Sequence, residues 1–255
     1  MDPTLAGLYQ LAWRERIAEI RLACGKANAL NARSLAVIGE ALDEAREGEA
    51  HGVILTGYDR FFSAGLDLVS LYDLGHLQMD ALIRDFDRTM LRVFTFPRPV
   101  VAAINGHAIA GGCILALACD ARVAPDRGVQ VGLNEIRLGV PFPASALEIA
   151  RHALPAASLA EILYGGRLYP PAEALAHGLV DRLTSGDVLE EARALCHDLA
   201  ERPRGAFETI KASLRAPAAR LAHDALDRLR QAFVDAWFSP DARRLIGQAR
   251  ARLSA

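Results

Sequence analysis

The stretch Ile104-Asn105-Gly106-His107-Ala108-Ile109-Ala110-Gly111-Gly112-Cys113-Ile114-Leu115-Ala116-Leu117-Ala118 decides the fold. It follows the β-branched run Val100-Val101-Ala102-Ala103, turns through glycines, and ends in a segment with no polar face. A helix that is apolar all round has to be buried. Its first turn leaves backbone N–H groups without helical partners and carries the positive end of the helix dipole. Two readings of Gly111-Gly112 stand side by side: they allow close packing, or they open an N-terminus where a negative oxygen can bind. The pattern is neither GxGxxG nor a GxxxxGK loop, which argues against a dinucleotide or a cradled triphosphate.

Outward from this stretch, strand and helix signals alternate. Ile17–Leu22 alternates apolar and polar residues and reads as a half-buried strand. A helix is predicted over 32–47, with Asn31 as N-cap and Leu35, Ile38, Leu42 and Ala45 as its apolar stripe. Gly52–Thr56 and Val100–Ile104 suit strands buried on both faces. Between them, residues 77–95 place Ile83, Phe86, Met90, Val93 and Phe94 on one helical face. The alternation implies an α/β fold with crossover connections. After residue 186 only helices are predicted: Asp187 caps the first, and Pro203, Pro217 and Pro240 separate further pieces.

The 255 residues make one large domain, or one with an appendage. With 52% hydrophobic and 24% charged residues the chain is an ordinary globular one. Lys+Arg 29 against Asp+Glu 31 argues against a nucleic-acid binder, although residues 201–255 hold 11 basic and 6 acidic side chains. No apolar run approaches the roughly 20 residues of a membrane span. Met1-Asp2-Pro3-Thr4 does not begin a secretory leader, so a cytoplasmic protein is expected. Cys24, Cys113, Cys119 and Cys196 show no CxxC spacing and read as reduced thiols, with no metal site implied. Only two of the cations are lysines, Lys26 and Lys211.

Two further segments look chemical. In Phe61-Phe62-Ser63-Ala64-Gly65-Leu66-Asp67-Leu68, small residues allow a tight turn close to a ligand, and Asp67 can cap a helix over 68–74. In Val131-Gly132-Leu133-Asn134-Glu135-Ile136-Arg137-Leu138-Gly139-Val140-Pro141, Glu135 sits in an apolar neighbourhood. Buried, it would be a carboxyl with a raised pKa, suited to general base work; exposed, it would be a surface glutamate paired with Arg137. His107 reads as a packing or hydrogen-bonding residue and Asp120 as structural.

In order and spacing these segments resemble the crotonase (enoyl-CoA hydratase/isomerase) superfamily. The resemblance is carried by Lys26-Ala27-Asn28-Ala29-Leu30-Asn31, Phe62–Leu68, Ala103–Gly106, Ala110–Cys113, Gly132–Glu135 and Ala172–Asp181. It implies a spiral of ββα units over residues 1–195 and a helical region over 196–255 that packs homotrimers, often paired into hexamers. It also implies an acyl-CoA thioester as substrate, with no separate cofactor. By motif position the backbone N–H groups of Leu66 and Gly111 would form the oxyanion hole. Lys26, Ala27, Ala29 and Leu30, with Ala64, Asp67 and Leu68 of the turn, would hold the adenine and ribose phosphate. Lys211 resembles a tail lysine that meets the 3′-phosphate of coenzyme A.

Hydratases of this superfamily use two glutamates to hold a water. Here the position of the first is Ile114, which would instead line the substrate site, and only Glu135 remains. One carboxyl suffices for a proton shift from C2 to C4. The spellings Ser63–Leu68, Gly132–Glu135 and Tyr169–Ala174 resemble mitochondrial-type Δ3,Δ2-enoyl-CoA isomerases, so an isomerase of unsaturated fatty-acid β-oxidation is expected. The alternatives are a hydratase whose second acid is Glu148, a non-catalytic acyl-CoA-binding protein, and, last, an RNA-binding tail.

Overall fold

The computed structural model describes residues 7–254, so Met1–Thr4, read above for a leader, lies outside the described residues. β1 (Tyr9–Arg14) and β2 (Ile17–Leu22) form an antiparallel hairpin. After α1 (Ala32–Glu47) the chain repeats one pattern three times. β3 (Gly52–Thr56) and β4 (Phe61–Ser63) lead to α2 (Leu68–Leu71) and α3 (His76–Phe94). β5 (Val100–Ala103) and β6 (His107–Ile109) lead to α4 (Gly111–Ala118). β7 (Ala121–Pro125) and β8 (Val131–Gly132) lead through a 3-10 turn, Glu135–Leu138, to α5 (Ala144–Ala153). α6 (Ala156–Gly165), α7 (Pro171–Ala176), β9 (Arg182–Thr184), α8 (Val188–Ala200), α9 (Arg204–Trp237) and α10 (Pro240–Ser254) complete it.

The first strand of each repeat joins a six-stranded sheet, order β1-β2-β3-β5-β7-β9, parallel beyond the hairpin. The second joins a small parallel sheet, order β4-β6-β8. This is the ββα spiral of the crotonase fold.

Burial on both faces explains the continuous apolar runs. Val53, Leu55, Val100 and Ala102 face the main core, whereas Ile54, Val101 and Ala103 face a second cluster closed by Ala192, Leu195 and Cys196 of α8. β2 is more buried than its alternation suggests: only Arg21 is exposed. α8 covers its polar position, where Arg193 holds Glu19 through two hydrogen bonds of 2.6 and 2.8 Å.

The predicted caps are present. Asn31 Oδ1 accepts from the Arg33 and Ser34 amides, and Ser34 Oγ accepts from Asn31 N at 2.7 Å. Asp187 accepts from the amides of Leu189 and Glu190. Pro217 does not divide the tail; it lies inside the 34-residue α9. Its ring and the region of the lost hydrogen bond are exposed, while Lys211, Arg215, Ala218 and Ala222 anchor the buried face. Packing thus offsets a proline penalty of about 3 kcal/mol. The 195/196 division falls inside α8, and the helices beyond it are not a separate layer, as the cavity below shows.

Candidate active site

The small sheet sets the geometry of the site. Parallel neighbours lie about 4.8 Å apart, and the chain leaves the C-terminal ends of β4, β6 and β8 at Ala64, Ala110 and Leu133. Ligands of parallel sheets gather at such ends. One cavity is bounded there by Ala64, Leu66, Gly111 and Glu135. The rest of its wall is largely apolar: Ile83 and Phe86 from α3, Ala146 from α5, Phe233 and Trp237 from α9, and Ala249 from α10.

Two backbone N–H groups are free to point at this cavity. Leu30 bridges the first turn, donating to Gly65 O at 2.7 Å and accepting from Asp67 N at 2.9 Å. In a parallel bridge the intervening residue, Leu66, directs its own N–H to the opposite side. Gly111 is the first residue of α4, so its N–H has no partner within the helix. The two turns touch because both carry glycine. Gly65 adopts φ +79°, and a Cβ there would lie 2.8 Å from Ile109 O and 3.0 Å from Gly111 N. A Cβ at Gly112 would lie 2.2 Å from Ser63 O. Gly112 allows the close packing, the first reading of the glycine pair, and Gly111 borders the cavity.

Glu135 opens the 3-10 turn and is 8% exposed. Removal from water pushes its carboxyl from 4.5 up to about 8, against a smaller opposing effect of a backbone hydrogen bond. Its Oε2 is buried without a hydrogen-bond partner. The surface reading fails, since Arg137 is exposed and Glu135 is turned inward. No other side chain of the cavity wall is ionisable among the described residues. Cys113 is buried nearby; burial, then the Glu135 charge, raises its thiol pKa, so it stays protonated.

The other residues of the sequence reading lie at several depths. Leu68 lines the cavity. Ala27 O accepts from Ala64 N at 3.0 Å, Leu30 is buried, Ala29 is half-buried and Lys26 is exposed, so this segment braces the first turn from outside. Asp67 caps α2, accepting from Ser70 N, Ser70 Oγ and Asn31 Nδ2. That carboxylate is engaged and unsuited to a phosphate, and the helix it caps ends at Leu71 rather than 74. Ile114 is fully buried one turn into α4 and is not part of the cavity wall, contrary to its reading as a substrate contact.

Lys211 is corrected more sharply. The lysine is 6% exposed, and its ammonium lies 2.6 Å from Asp120 and 2.9 Å from Arg98 O. Arg215 holds the other oxygen of Asp120 at 2.8 Å. This cluster ties α9 to the large sheet, and desolvation lowers the lysine pKa to about 8. The structure does not bring Lys211 to the cavity. Part of the tail's positive charge is paired within the chain, Arg230 with Asp80 and Arg250 with Asp73. Glu148 is likewise occupied, by Arg151 at 2.8 Å, and does not line the cavity.

Sequence reading missed two groups. Asn28, at φ +46°, is a buried hub: it accepts from Cys24 N and donates to Leu22 O and Phe62 O, while Ser63 Oγ donates to its carbonyl. An asparagine between two alanines before a turn was the available signal, since asparagine tolerates this conformation. The second group is Phe233, Trp237 and Ala249, by which the chain's own last helices close the cavity. Arg243 secures α10, donating to Tyr72 O at 2.8 Å with its guanidinium 3.5 Å from the Tyr72 ring centre. Among the described residues no group of three or more potential ligands could hold a metal ion, and no helix is long and apolar enough to cross a membrane.

Comparison with known proteins agrees with this geometry. A Thermus thermophilus protein, provisionally named an enoyl-CoA hydratase, is 39% identical over 168 residues, 64% of this chain and 65% of its own length. A Bacillus subtilis protein named a probable enoyl-CoA hydratase is 34% identical over 197 residues, 75% of this chain and 76% of that one. The structure of human mitochondrial Δ3,Δ2-enoyl-CoA isomerase superposes with a TM-score of 0.92 at 26% identity, covering 97% of this chain and 98% of that one. The pattern of the family described as enoyl-CoA hydratase/isomerase matches residues 13–248, a span that includes both strand-end turns, Glu135 and α9. With nearly the whole chain matched, the protein belongs to the enoyl-CoA hydratase/isomerase family, the crotonase superfamily.

Proposed function

We propose that this family member is a Δ3,Δ2-enoyl-CoA isomerase serving the degradation of unsaturated fatty acids. The observation that carries the reading is that Glu135 is the one ionisable side chain on the cavity wall among the described residues. The ionised carboxyl takes a proton from C2 of a 3-enoyl-CoA. The electron pair spreads over a dienolate, whose oxygen is held by the N–H groups of Leu66 and Gly111. The carboxylic acid then returns the proton to C4, giving the conjugated 2-enoyl-CoA with no net change in protons. A pKa near 8 suits both halves, because the acid–base couple is poised close to neutral pH. Two aimed N–H groups in a dry site typically supply about 3–4 kcal/mol each.

Coenzyme A enters this scheme as part of the substrate, and no further cofactor takes part. Lys26, exposed beside the first turn, is proposed to meet a phosphate of the nucleotide. A homotrimer, or a pair of trimers, in the cytoplasm is proposed as the working form. A groove with Ile136 47% and Tyr164 78% exposed, beside Leu159 and Leu163, supports association.

The second reading is enoyl-CoA hydratase, the name that the bacterial relatives carry. Against it, the cavity wall offers no second carboxyl among the described residues to hold a water, and Glu148 is engaged elsewhere. Rates of crotonyl-CoA hydration and 3-hexenoyl-CoA isomerisation, measured on the same preparation, decide between them. Isomerisation faster by orders of magnitude is expected; hydration at an equal rate overturns the proposal.

A further inference from the structure

Two walls of the cavity are tied together beneath its surface. α3 lines it with Ile83 and Phe86, and α5 with Ala146 and the preceding Pro143. Asp87 follows Phe86, and Ser145 precedes Ala146. Both are buried, and Asp87 Oδ1 accepts from Ser145 N at 2.8 Å. α5 needs such an acceptor. The amides of a helix's first turn lack helical partners, and Pro143, at the N-cap, makes no side-chain bond to them. Asp87 thus caps α5 from another helix, with its negative charge at the positive end of the dipole.

A carboxyl is a costly way to join two helices. Asp87 Oδ2 is buried without a hydrogen-bond partner. Burial raises the pKa of the group, against the lowering effects of Ser145 and Arg230. An apolar residue of similar size avoids that cost where packing is the only need. What packing does not supply is register: apolar side chains slide past one another, whereas an N–H···O bond has a defined length and direction. The C-terminal ends of the same helices meet through Phe94 and His152, whose rings stand edge-on at 5.1 Å. Asp87 supplies the second point of attachment, beside the cavity.

We propose that Asp87 is a positioning residue for the acyl chain: acting through Ser145, it holds the α5 wall in register with the α3 wall and so secures the fit of the hydrocarbon. Asp87 itself is not part of the wall. This inference rests on the acyl-thioester reading of the cavity.

The test is calorimetric titration of the full chain with acetyl-CoA and hexanoyl-CoA. Neither has an alkene to shift, so binding is read without turnover. Four further methylenes should make hexanoyl-CoA bind the wild type roughly a hundredfold tighter. D87N keeps the size and an acceptor but loses the charge, and that ratio should fall about threefold; in D87A, which leaves the Ser145 amide unpaired, it should fall about tenfold. Affinity for acetyl-CoA should stay within about twofold throughout. K211M, destabilised outside the cavity, should keep the wild-type ratio. An unchanged ratio in D87A overturns the proposal, as do a loss shared equally by acetyl-CoA, a D87N as impaired as D87A, and a K211M that loses the ratio too. Should D87A not fold, D87N decides alone, and an unchanged ratio there overturns the proposal. A wild type that binds neither thioester, or does not prefer hexanoyl-CoA, rejects the acyl-thioester reading and this inference with it.

Discussion

Replacing Glu135 by glutamine is expected to slow turnover severely and to stabilise the fold at alkaline pH. The carboxyl has a pKa of about 8 in the native protein, against an ordinary 4.5. Where the native value is the higher, the folded chain retains a proton that the unfolded chain has lost. Stability is then fully present below about pH 4.5 and falls as pH rises, until the native carboxyl also ionises. Each pH unit in that window costs about 1.4 kcal/mol. The window spans the gap between 4.5 and about 8, so the whole cost is roughly 5 kcal/mol, an order-of-magnitude figure. Glutamine cannot ionise and escapes this cost. Urea unfolding of both proteins at about pH 5, pH 7 and pH 9 should show the variant's advantage growing from near zero and then levelling. In the same preparations, wild-type kcat/KM for 3-hexenoyl-CoA, followed by the absorbance of the conjugated product, should rise about tenfold per pH unit and flatten near pH 8. The variant should lose about 10²–10⁴-fold, the usual share of a positioned acid–base group. A stability difference independent of pH would refute the burial argument; a variant as active as wild type would refute the base assignment.

Gly112→Ala places a Cβ 2.2 Å from Ser63 O, so the two turns must separate; a loss of about 1–3 kcal/mol in stability and a larger fractional loss of kcat than of substrate affinity are expected. Lys211→Met leaves Asp120 with Arg215 and the Val100 amide, and should lower the melting temperature while leaving KM for an acyl-CoA within about twofold, whereas a phosphate-binding lysine would show the reverse. Lys26→Ala should change stability by less than about 0.5 kcal/mol yet raise KM, with the difference shrinking as salt is added. Arg243→Ala removes the bond to Tyr72 O and the ring contact, and should speed amide hydrogen exchange in α10 before any other helix.

Three strands of the large sheet, β2, β3 and β5, were legible because they show a pattern, as were α1 and α3 by their apolar stripes and α4 by its lack of a polar face; β1, β7 and the three-residue β9 went unread. The small sheet was not legible: β4, β6 and β8 have three, three and two residues, too few for a period of two. Residues near it still drew attention through chemistry that does not need a pattern, namely glycines at turns and a glutamate among apolar neighbours. Lys211 misled for the opposite reason. A rare residue in a basic tail looks like a ligand for phosphate, and nothing local reveals that Asp120, 91 positions away, has claimed it. The same holds for Trp237, whose place on the cavity wall depends on how a 34-residue helix docks, not on its neighbours in sequence.

The three-fold repetition explains why so short a sheet can build a site at all. Each ββα unit sends its second strand to the small sheet and exits at the same end, so equivalent positions of three units meet within two strand spacings, about 10 Å. Leu66 and Gly111 come from adjacent units and bring backbone donors that no side-chain substitution can delete. Glu135 comes from the third unit and brings the one group whose identity can change the chemistry. The donors are therefore a property of the fold, and the reaction is a property of what the third exit and the covering helices place around them. A second carboxyl on that wall would let the same two N–H groups serve addition of water. With Glu135 as the one ionisable side chain on that wall among the described residues, the proposed route returns the proton to another carbon of the bound acyl chain.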